Sequence, residues 1–490
     1  MARRCFDPGQ GLFQRRRLAW QRRHAKSKTS YVLTSEETMS RSIARLTGMS
    51  LAAATAVVSL NAHAKVSAEE AAKLGSELTP LGAEQAGNSA GTIPAWDGGY
   101  HNPDWPEGKR FENPWPDDKP KFEITKSNMS QYAANLSEGQ KAMLEKYDTY
   151  KIPVYETRRS AANPQYIYDA TKENATRAEL TNDGETLVNA AIGAPFPIPK
   201  SGKEIIWNHR TRYRGPSLVR YNVQAAVQTS GAFSLFKLKE DVRFNYTEKG
   251  MTPDGLNNVL LYFLQSIEEP PRQAGQILLV HETADQVKEP RRAWLYNPGQ
   301  RRLRRAPNVA YDNPGTGSDG LRTNDQLDTF NGATDRYTWK LVGKKEMYIP
   351  YNAYELHSDD NEYDDIIKPG HIDQDLTRYE LHRVWVVDAT VKDGTSHIYD
   401  RRTFYVDEDT WQIALVDIYD KRGQLWRVQE AHAMNFYRYP ATAQIAGTVY
   451  DLLANRYLVQ EMNNEEDEHI AEDFDEGYFA PGNVKKLARK

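Results

Sequence analysis

The stretch SHIYDRRTFYVDEDTWQIALVDIYDKRGQLWRVQE, residues 396–430, decides the fold class. Three runs of alternating character, 396–406, 411–419 and 425–430, are separated by the polar turns Asp407-Glu408-Asp409 and Asp420-Lys421-Arg422-Gly423. Strands joined this tightly are antiparallel neighbours, because parallel ones need a crossover of roughly a dozen residues. Both parities of these strands are apolar or amphipathic. Trp411, Ile413 and Leu415 share one, Ala414, Val416 and Ile418 the other, while Ile398, Phe404 and Val406 alternate with Tyr399, Thr403 and Tyr405. A sheet with one wet face alternates more cleanly. Something therefore covers both faces: helices, another part of the chain, or an apolar ligand.

The pattern extends upstream. Residues 378–391 turn at Lys392-Asp393-Gly394 into the quoted stretch, and 292–296 pairs with 301–305 across Asn297-Pro298-Gly299-Gln300, a type II turn by its proline and glycine. Residues 218–228, 232–246 and 275–282 are strand candidates, and 256–267 reads as a helical or buried segment. Before them the chain is helical and extended. Ser67 is placed to cap a helix over 66–81, residues 127–147 have helical spacing, and Ser201 is placed to cap a short helix through Ile205, Ile206 and Trp207. Between 91 and 120, six prolines and three tryptophans (Trp96, Trp105, Trp115) exclude helix and central strand. That segment should wrap, its tryptophans either fastening it to a surface or lining a ligand mouth. The expected organisation is an N-terminal helical and wrapping region over 65–200, an antiparallel β region over 201–440, and a C-terminal helix with an acidic tail over 441–490. The fold class is α+β, mainly antiparallel.

The chain of 490 residues carries an address. Arg41 and Arg45 precede GMSLAAATAVVSL (48–60), thirteen apolar or small residues that are too few to span a bilayer, and Ala62-His63-Ala64 is an A-x-A cleavage site. Residues 39–64 are thus expected to be a cleavable signal peptide and the protein periplasmic; the competing reading is an alanine-rich core helix. Residues 1–38, basic and without an apolar run, read as an over-extended, disordered start upstream of Met39. A twin-arginine signal fits less well, because neither arginine cluster leads into the apolar core. Residues 1–64 hold 11 basic and 3 acidic side chains, so the remainder has 52 basic against 64 acidic, a formal charge of −12. That excess argues against nucleic acid and against an electrostatically held membrane surface. The single cysteine, Cys5, lies upstream of the signal, leaving the exported part no disulfide, thiolate metal site or lipid anchor.

Motifs for catalysis are missing. His281-Glu282 lacks the second histidine of a zinc-protease helix, Gly315-Thr316-Gly317-Ser318-Asp319-Gly320 lacks the lysine of a P-loop, and no G-x-S-x-G elbow occurs. The acidic stretch 359–375 has no EF-hand register and reads as a solvated loop. His382 and His397 stand on facing arms of a hairpin, where a structural role is favoured over a metal site. No metal, cofactor or catalytic residue is expected. Arg301 to Arg305 stands out in an acidic protein: alternate arginines, Arg302 and Arg304, share a face and would pair with carboxylates, an anionic headgroup or a partner.

Three stretches carry a family resemblance: LLVHETADQVKEPRRAWLYNPGQRRLRRAPNVAYDNPGTGSDGLRTNDQLDTFNGATDRYTWKLVGKKEMYIPYN (278–352), RYELHRVWVVDAT (378–390) and LTPLGAEQAGNSAGTIPAWDGGY (78–100). They resemble the proteobacterial family called domain of unknown function 1329, itself similar to the outer-membrane lipoprotein-sorting superfamily of periplasmic carriers. The resemblance implies an unclosed, bent half-barrel sheet with helices and the Pro/Trp-rich segment on its concave side, around a cavity for acyl chains. By that analogy Trp294, Tyr296, Trp385, Val387, Phe404, Trp411, Ile413 and Leu415 would line the cavity. It also implies work beside an inner-membrane exporter of the resistance-nodulation-division type and an outer-membrane protein. Two functions follow: a carrier of lipid or other hydrophobic cargo, or an adaptor between exporter and outer-membrane partner with its sheet filled by its own side chains. An enzyme acting on an envelope substrate would need a convergent polar cleft, which no motif announces.

Overall fold

A computed structural model describes residues 66–307 and 309–488. The expected signal peptide, with Ala62 and Ala64, and the upstream residues lie outside the described residues. Short strands come first: β1 (Phe122–Ile124), β2 (Ile152–Val154), β3 (Glu179–Thr181) and β4 (Thr186–Val188). Then follow β5 (Ser217–Val227), β6 (Leu235–Phe244), β7 (Val259–Ile267), β8 (Ile277–Thr283), β9 (Arg292–Asn297), β10 (Arg302–Arg305) and β11 (Tyr337–Pro350). The last are β12 (Tyr379–Val391), β13 (Arg401–Asp407), β14 (Ile413–Tyr419), β15 (Leu425–Phe436), β16 (Ala441–Asp451) and β17 (Arg456–Met462). The α-helices are α1 (Ala68–Ala71), α2 (Glu138–Lys146), α3 (Gln165–Arg177), α4 (Gly202–Thr211), α5 (Tyr354–His357), α6 (Tyr363–Ile366) and α7 (Pro481–Leu487).

All strands but β3 and β4 belong to one open sheet, ordered β1-β2-β12-β13-β14-β15-β16-β17-β5-β6-β7-β8-β9-β10, with β11 added on β12. Every pairing is antiparallel except one parallel bridge, Tyr379↔Val154. The hairpins follow the polar turns read from the sequence, and the two ends, β1 and β10, do not meet.

The sequence-based boundary at 440 is corrected: residues 441–462 form β16 and β17, two central strands, and helix returns only at α7. Nearly every residue of ATAQIAGTVYD is buried because both sheet faces are covered, so period-two contrast is lost and the run reads like a buried helix. The same loss hides β7 inside the segment 256–267. Helix over 66–81 shrinks to α1, capped by Ser67 Oγ accepting from Glu70 N at 3.1 Å, because Gly75, Pro80 and Gly82 stop it. Over 127–147 only α2 is α-helical, after two 3₁₀ turns. The lysine-bearing β11 has no counterpart among the strands expected from the sequence.

Two layers enclose the sheet. On one face α4, with Ile205, Ile206 and Trp207 fully buried, packs on Val387, Phe404, Val416 and Ile418. It comes so close that a Cβ on Gly202 would meet Val387 Cγ1 at 2.9 Å. The segment 309–331 continues this layer, through Phe330 and Leu321. The opposite face, with Val223, Ala225 and Val227 of β5, lies under α2, α5, α6 and the wrapping segment. Here the tryptophans are fasteners: Trp105 and Trp115 pack on that cluster, and Trp96 Nε1 donates to Ala161 O at 3.0 Å. Farther along the same face, α7 and Phe479 cover Leu264, Ile277, Leu279 and Tyr296.

Candidate functional site

Strand alternation builds one wall of a cavity. The register aligns Leu218, Val242, Phe263 and Val280 across β5, β6, β7 and β8, and beside them Arg220, Glu240, Gln265 and Leu278. Opposite this wall stand the end of α4 with Arg210, the following Arg214, and Val309, Arg322, Leu327 and Phe330 of the 309–331 segment. Together they enclose about 130 Å³. That is room for on the order of ten water molecules, or the equivalent in apolar chain. Two further spaces share its walls: about 60 Å³ toward Phe436, Tyr439 and Ile470, and about 190 Å³ toward Ile267, Leu295 and Ala306.

Five arginines line this space among apolar, polar and acidic side chains, and their partners divide them. Arg214 Nη1 meets Asp328 at 2.6 Å, Arg220 meets Glu240 at 2.7 Å and Glu461 at 3.1 Å, and Arg291 meets Glu282 at 2.6 Å. Glu461 reaches inward from a left-handed backbone (φ 67°) where the β17–β5 register breaks between Val459 and Met462. A strained non-glycine residue that aims a carboxylate into a cavity is a feature of functional sites.

Arg322 and Arg210 differ. Arg322 is 5% exposed, its Nη1 reaches only the Thr323 carbonyl at 3.4 Å, and its Nε has no hydrogen-bond partner. Arg210 is 6% exposed, stacks on Trp207 at 4.3 Å and gives one bond, to Ala284 O at 3.3 Å. Neither has a carboxylate within 4.0 Å among the described residues, and burial lowers the pKa of both. A guanidinium keeps its proton even so. The cavity thus holds two buried guanidinium groups with no direct ion pair; the carboxylates that act on them, Glu461 and Glu240 on Arg322 and Glu282 and Glu185 on Arg210, lie beyond 4.0 Å.

None of the eight residues placed in a cavity by analogy lines this one. Trp294 and Tyr296 lie on the other sheet face under α7; on β9 it is Ala293 and Leu295 that share the cavity's face. A one-residue difference in parity exchanges faces. Trp385, Val387, Phe404, Trp411 and Ile413 do gather in one cluster, but α4 and Phe330 fill the space above them. Leu415 belongs to a separate core on the opposite face, with Met347, Ile349, Val384 and Tyr405. Arg302 and Arg304 are exposed on edge strand β10, where Arg304 faces Leu295, and no carboxylate lies within 4.0 Å of them among the described residues. His382 and His397 do not meet: the first bonds Glu380 at 3.2 Å, the second Asp325 at 3.1 Å. The residues that the sequence reading missed, Arg210 and Arg322, had weak signals. Arginine recurs at 210, 212 and 214 where α4 ends, and Arg322 is the one cation in an otherwise uncharged and acidic loop.

Comparison with known proteins settles the family. Residues 123–485 match the family described as "Protein of unknown function (DUF1329)". A Pseudomonas aeruginosa protein named "Uncharacterized protein PA3922" is 54% identical over 416 residues, covering 84% of this chain and 91% of that protein. The chain belongs to the DUF1329 family. Among solved structures, a DUF1329 family protein from Desulfovibrio piger is 14% identical with a TM-score of 0.40, over 58% of this chain and 97% of that one. A LolA superfamily protein from Nitrosomonas europaea is also 14% identical, with a TM-score of 0.35 over 58% of this chain and 98% of that one. No helix among the described residues is long and apolar enough to cross a membrane.

Proposed function

We propose that this DUF1329 protein is a periplasmic binding protein that carries an elongated amphiphile, an apolar chain ending in an acidic group. One observation supports it above the others: a cavity walled by Leu218, Val242, Phe263, Leu278 and Val280 holds the buried guanidinium of Arg322, which has no carboxylate in direct contact and an Nε without a hydrogen-bond partner. The apolar chain would displace water from the strand wall, worth about 25 cal/mol per Å² of buried apolar surface. The acidic head would supply the direct ion pair that Arg322 and Arg210 lack, and a bidentate carboxylate or phosphate fits a guanidinium fork. Export to the periplasm follows from residues 39–64 and suits such cargo, which must be shielded in an aqueous compartment. The 60 Å³ and 190 Å³ side spaces give the chain two directions in which to lengthen.

The test compares a long-chain fatty acid with the alcohol of equal length, each titrated against the full chain by displacement of a fluorescent fatty acid. The acid should bind at least tenfold more tightly, and Arg322→Met should remove that preference while leaving the alcohol unchanged. Val280→Trp, which fills the cavity, should abolish both. Failure of either ligand to bind, or equal binding by the Val280→Trp variant, overturns the reading.

A further inference from the structure

A second cluster of chemistry-bearing side chains lies in the solid part of the fold, away from the cavity. Glu380 and His382 are two residues apart on β12 and so share a face, and the register Val384↔Asp407 carries the end of β13 and its turn to the same place. His382 Nδ1 stands 3.7 Å from Asp407 Oδ1 and 3.6 Å from Asp409 Oδ2. One ligand atom from each of the three lies within 4.8 Å of the others, and all three residues are buried. It is the one such group of three among the described residues.

The surroundings treat these atoms unequally. Glu380 is loaded with donors: Arg378 Nε at 2.7 Å, Asn352 Nδ2 at 2.9 Å and Arg158 N at 2.6 Å. They hold it ionised, so it accepts the Nε2 proton of His382 at 3.2 Å and leaves Nδ1 facing the two aspartates. Asp407 Oδ2 takes the Thr410 amide at 3.0 Å and hydroxyl at 2.6 Å, yet Oδ1 has no partner although the residue is 1% exposed. The hydroxyl of Tyr351, whose ring stacks on His382 at 4.0 Å, is also buried and without a partner.

Two quantities separate a simple ion cluster from a metal cradle. The first is distance. Separations of 3.6 and 3.7 Å exceed an N–H···O bond of about 2.7–3.2 Å; they are also a few tenths of an ångström longer than the roughly 3 to 3.5 Å between ligands about 2.1 Å from a common cation, so the three side chains would close slightly on an ion. The second is charge. Asp409 has Arg159 at 2.6 Å, Glu408 has Lys344 at 2.7 Å, and Glu380 has Arg378 at 2.7 Å. Asp407 has no lysine or arginine within 4.0 Å among the described residues. A histidine whose outer nitrogen is fixed by a carboxylate, with its inner nitrogen turned to two more carboxylates, is the arrangement that orients a metal-bound imidazole.

We propose that His382 Nδ1, Asp407 Oδ1 and Asp409 Oδ2 form a buried site for a divalent first-row metal ion, with Glu380 as the carboxylate that orients the imidazole. One nitrogen and two carboxylate oxygens suit Zn²⁺ or Mn²⁺ better than Ca²⁺, which prefers six or more oxygens. The ion would cross-link β12 to the β13–β14 turn and, through Asp409 and Arg159, to the segment before α3. Its role would be structural: the three residues are buried and none of them lines the cavity described above.

The experiment uses the full chain, stripped with a chelator and re-equilibrated with Zn²⁺ or Mn²⁺ alone, then freed of excess ion by gel filtration. Mass spectrometric metal analysis should find about one equivalent retained, and the melting temperature should rise by several degrees over the stripped protein. Asp407→Asn should retain none and show no rise. Its stripped form should still fold, because the substitution removes a buried charge and keeps the shape. Absence of retained metal and of any melting shift in the unaltered chain with both ions overturns the proposal, leaving a protonated His382 as the cation of the cluster. Equal retention by Asp407→Asn overturns it as well, by showing the ion to be bound elsewhere.

Discussion

Glu430 shows how burial, helped by the neighbouring Asp417 carboxylate, makes a side chain respond to pH. On β15 it accepts from the hydroxyls of Tyr150 at 3.0 Å and Tyr379 at 3.2 Å, and burial pushes its carboxyl up to about 7. In the unfolded chain a glutamate ionises near ~4.3. Between those values the native state holds the extra proton, so stability falls as pH rises through the window and is constant above it. Glu430→Gln should therefore be more stable than the unaltered chain at about pH 8, by about 4 kcal/mol at most, and melt higher there, but be no more stable at about pH 4. An equal difference at both pH values would refute the assignment. Arg322, which keeps its proton, bears the cost of burial at every pH. Arg322→Met should raise the melting temperature while destroying acid selectivity, because a buried charge without a direct ion pair is retained at a cost to stability.

At the scale of elements, the C-terminal helix marks which sheet face is which. Phe479 and Val484 cover Leu264, Ile277, Leu279 and Tyr296, on the face opposite to the cavity. A chain ending at Asp475 should bind a dye specific for exposed apolar surface, such as anilinonaphthalene sulfonate, and lose amide protection in β7 and β8. It should still bind the fatty acid, since the wall of Leu218, Val242, Phe263 and Val280 is on the other side. A dye signal unchanged from the full chain would refute the covering role of α7. The places of the turns are legible locally, at Asn297-Pro298-Gly299-Gln300 and Asp420-Lys421-Arg422-Gly423, but the first is not the expected type II turn: the left-handed residue is Arg301 (φ 52°), not Gly299, and Arg301 N bonds Pro298 O at 3.3 Å. Strands β7, β16 and β17 are not legible, because covering on both faces erases the alternation that would announce them.

At the scale of the whole molecule, one long-range pairing joins the halves of the sheet. β17 lies beside β5 through Tyr457↔Val227, Leu458↔Ala226 and Val459↔Ala225, and so links β12–β17 to β5–β10. A chain ending at Pro440 would leave both β15 and β5 with unpaired inner edges, which aggregate. Such a chain should be insoluble, or expanded by small-angle scattering; a compact, cooperatively melting product would contradict the central place of β16 and β17.

Residues 396–430 by themselves determined the antiparallel class, the hairpins and the covering of both faces, and residues 39–64 carried the expectation of export. These are local properties, written in turn chemistry, a two-residue period and an apolar run of fixed length. Only the tertiary structure decided what lies over each face. Period two tells that Trp294 and Leu295 point to opposite sides, but not which side receives α7 and which stays open beside Arg322. That choice is made by segments far away in sequence, α4 before and α7 after, whose packing leaves no mark on the strand itself.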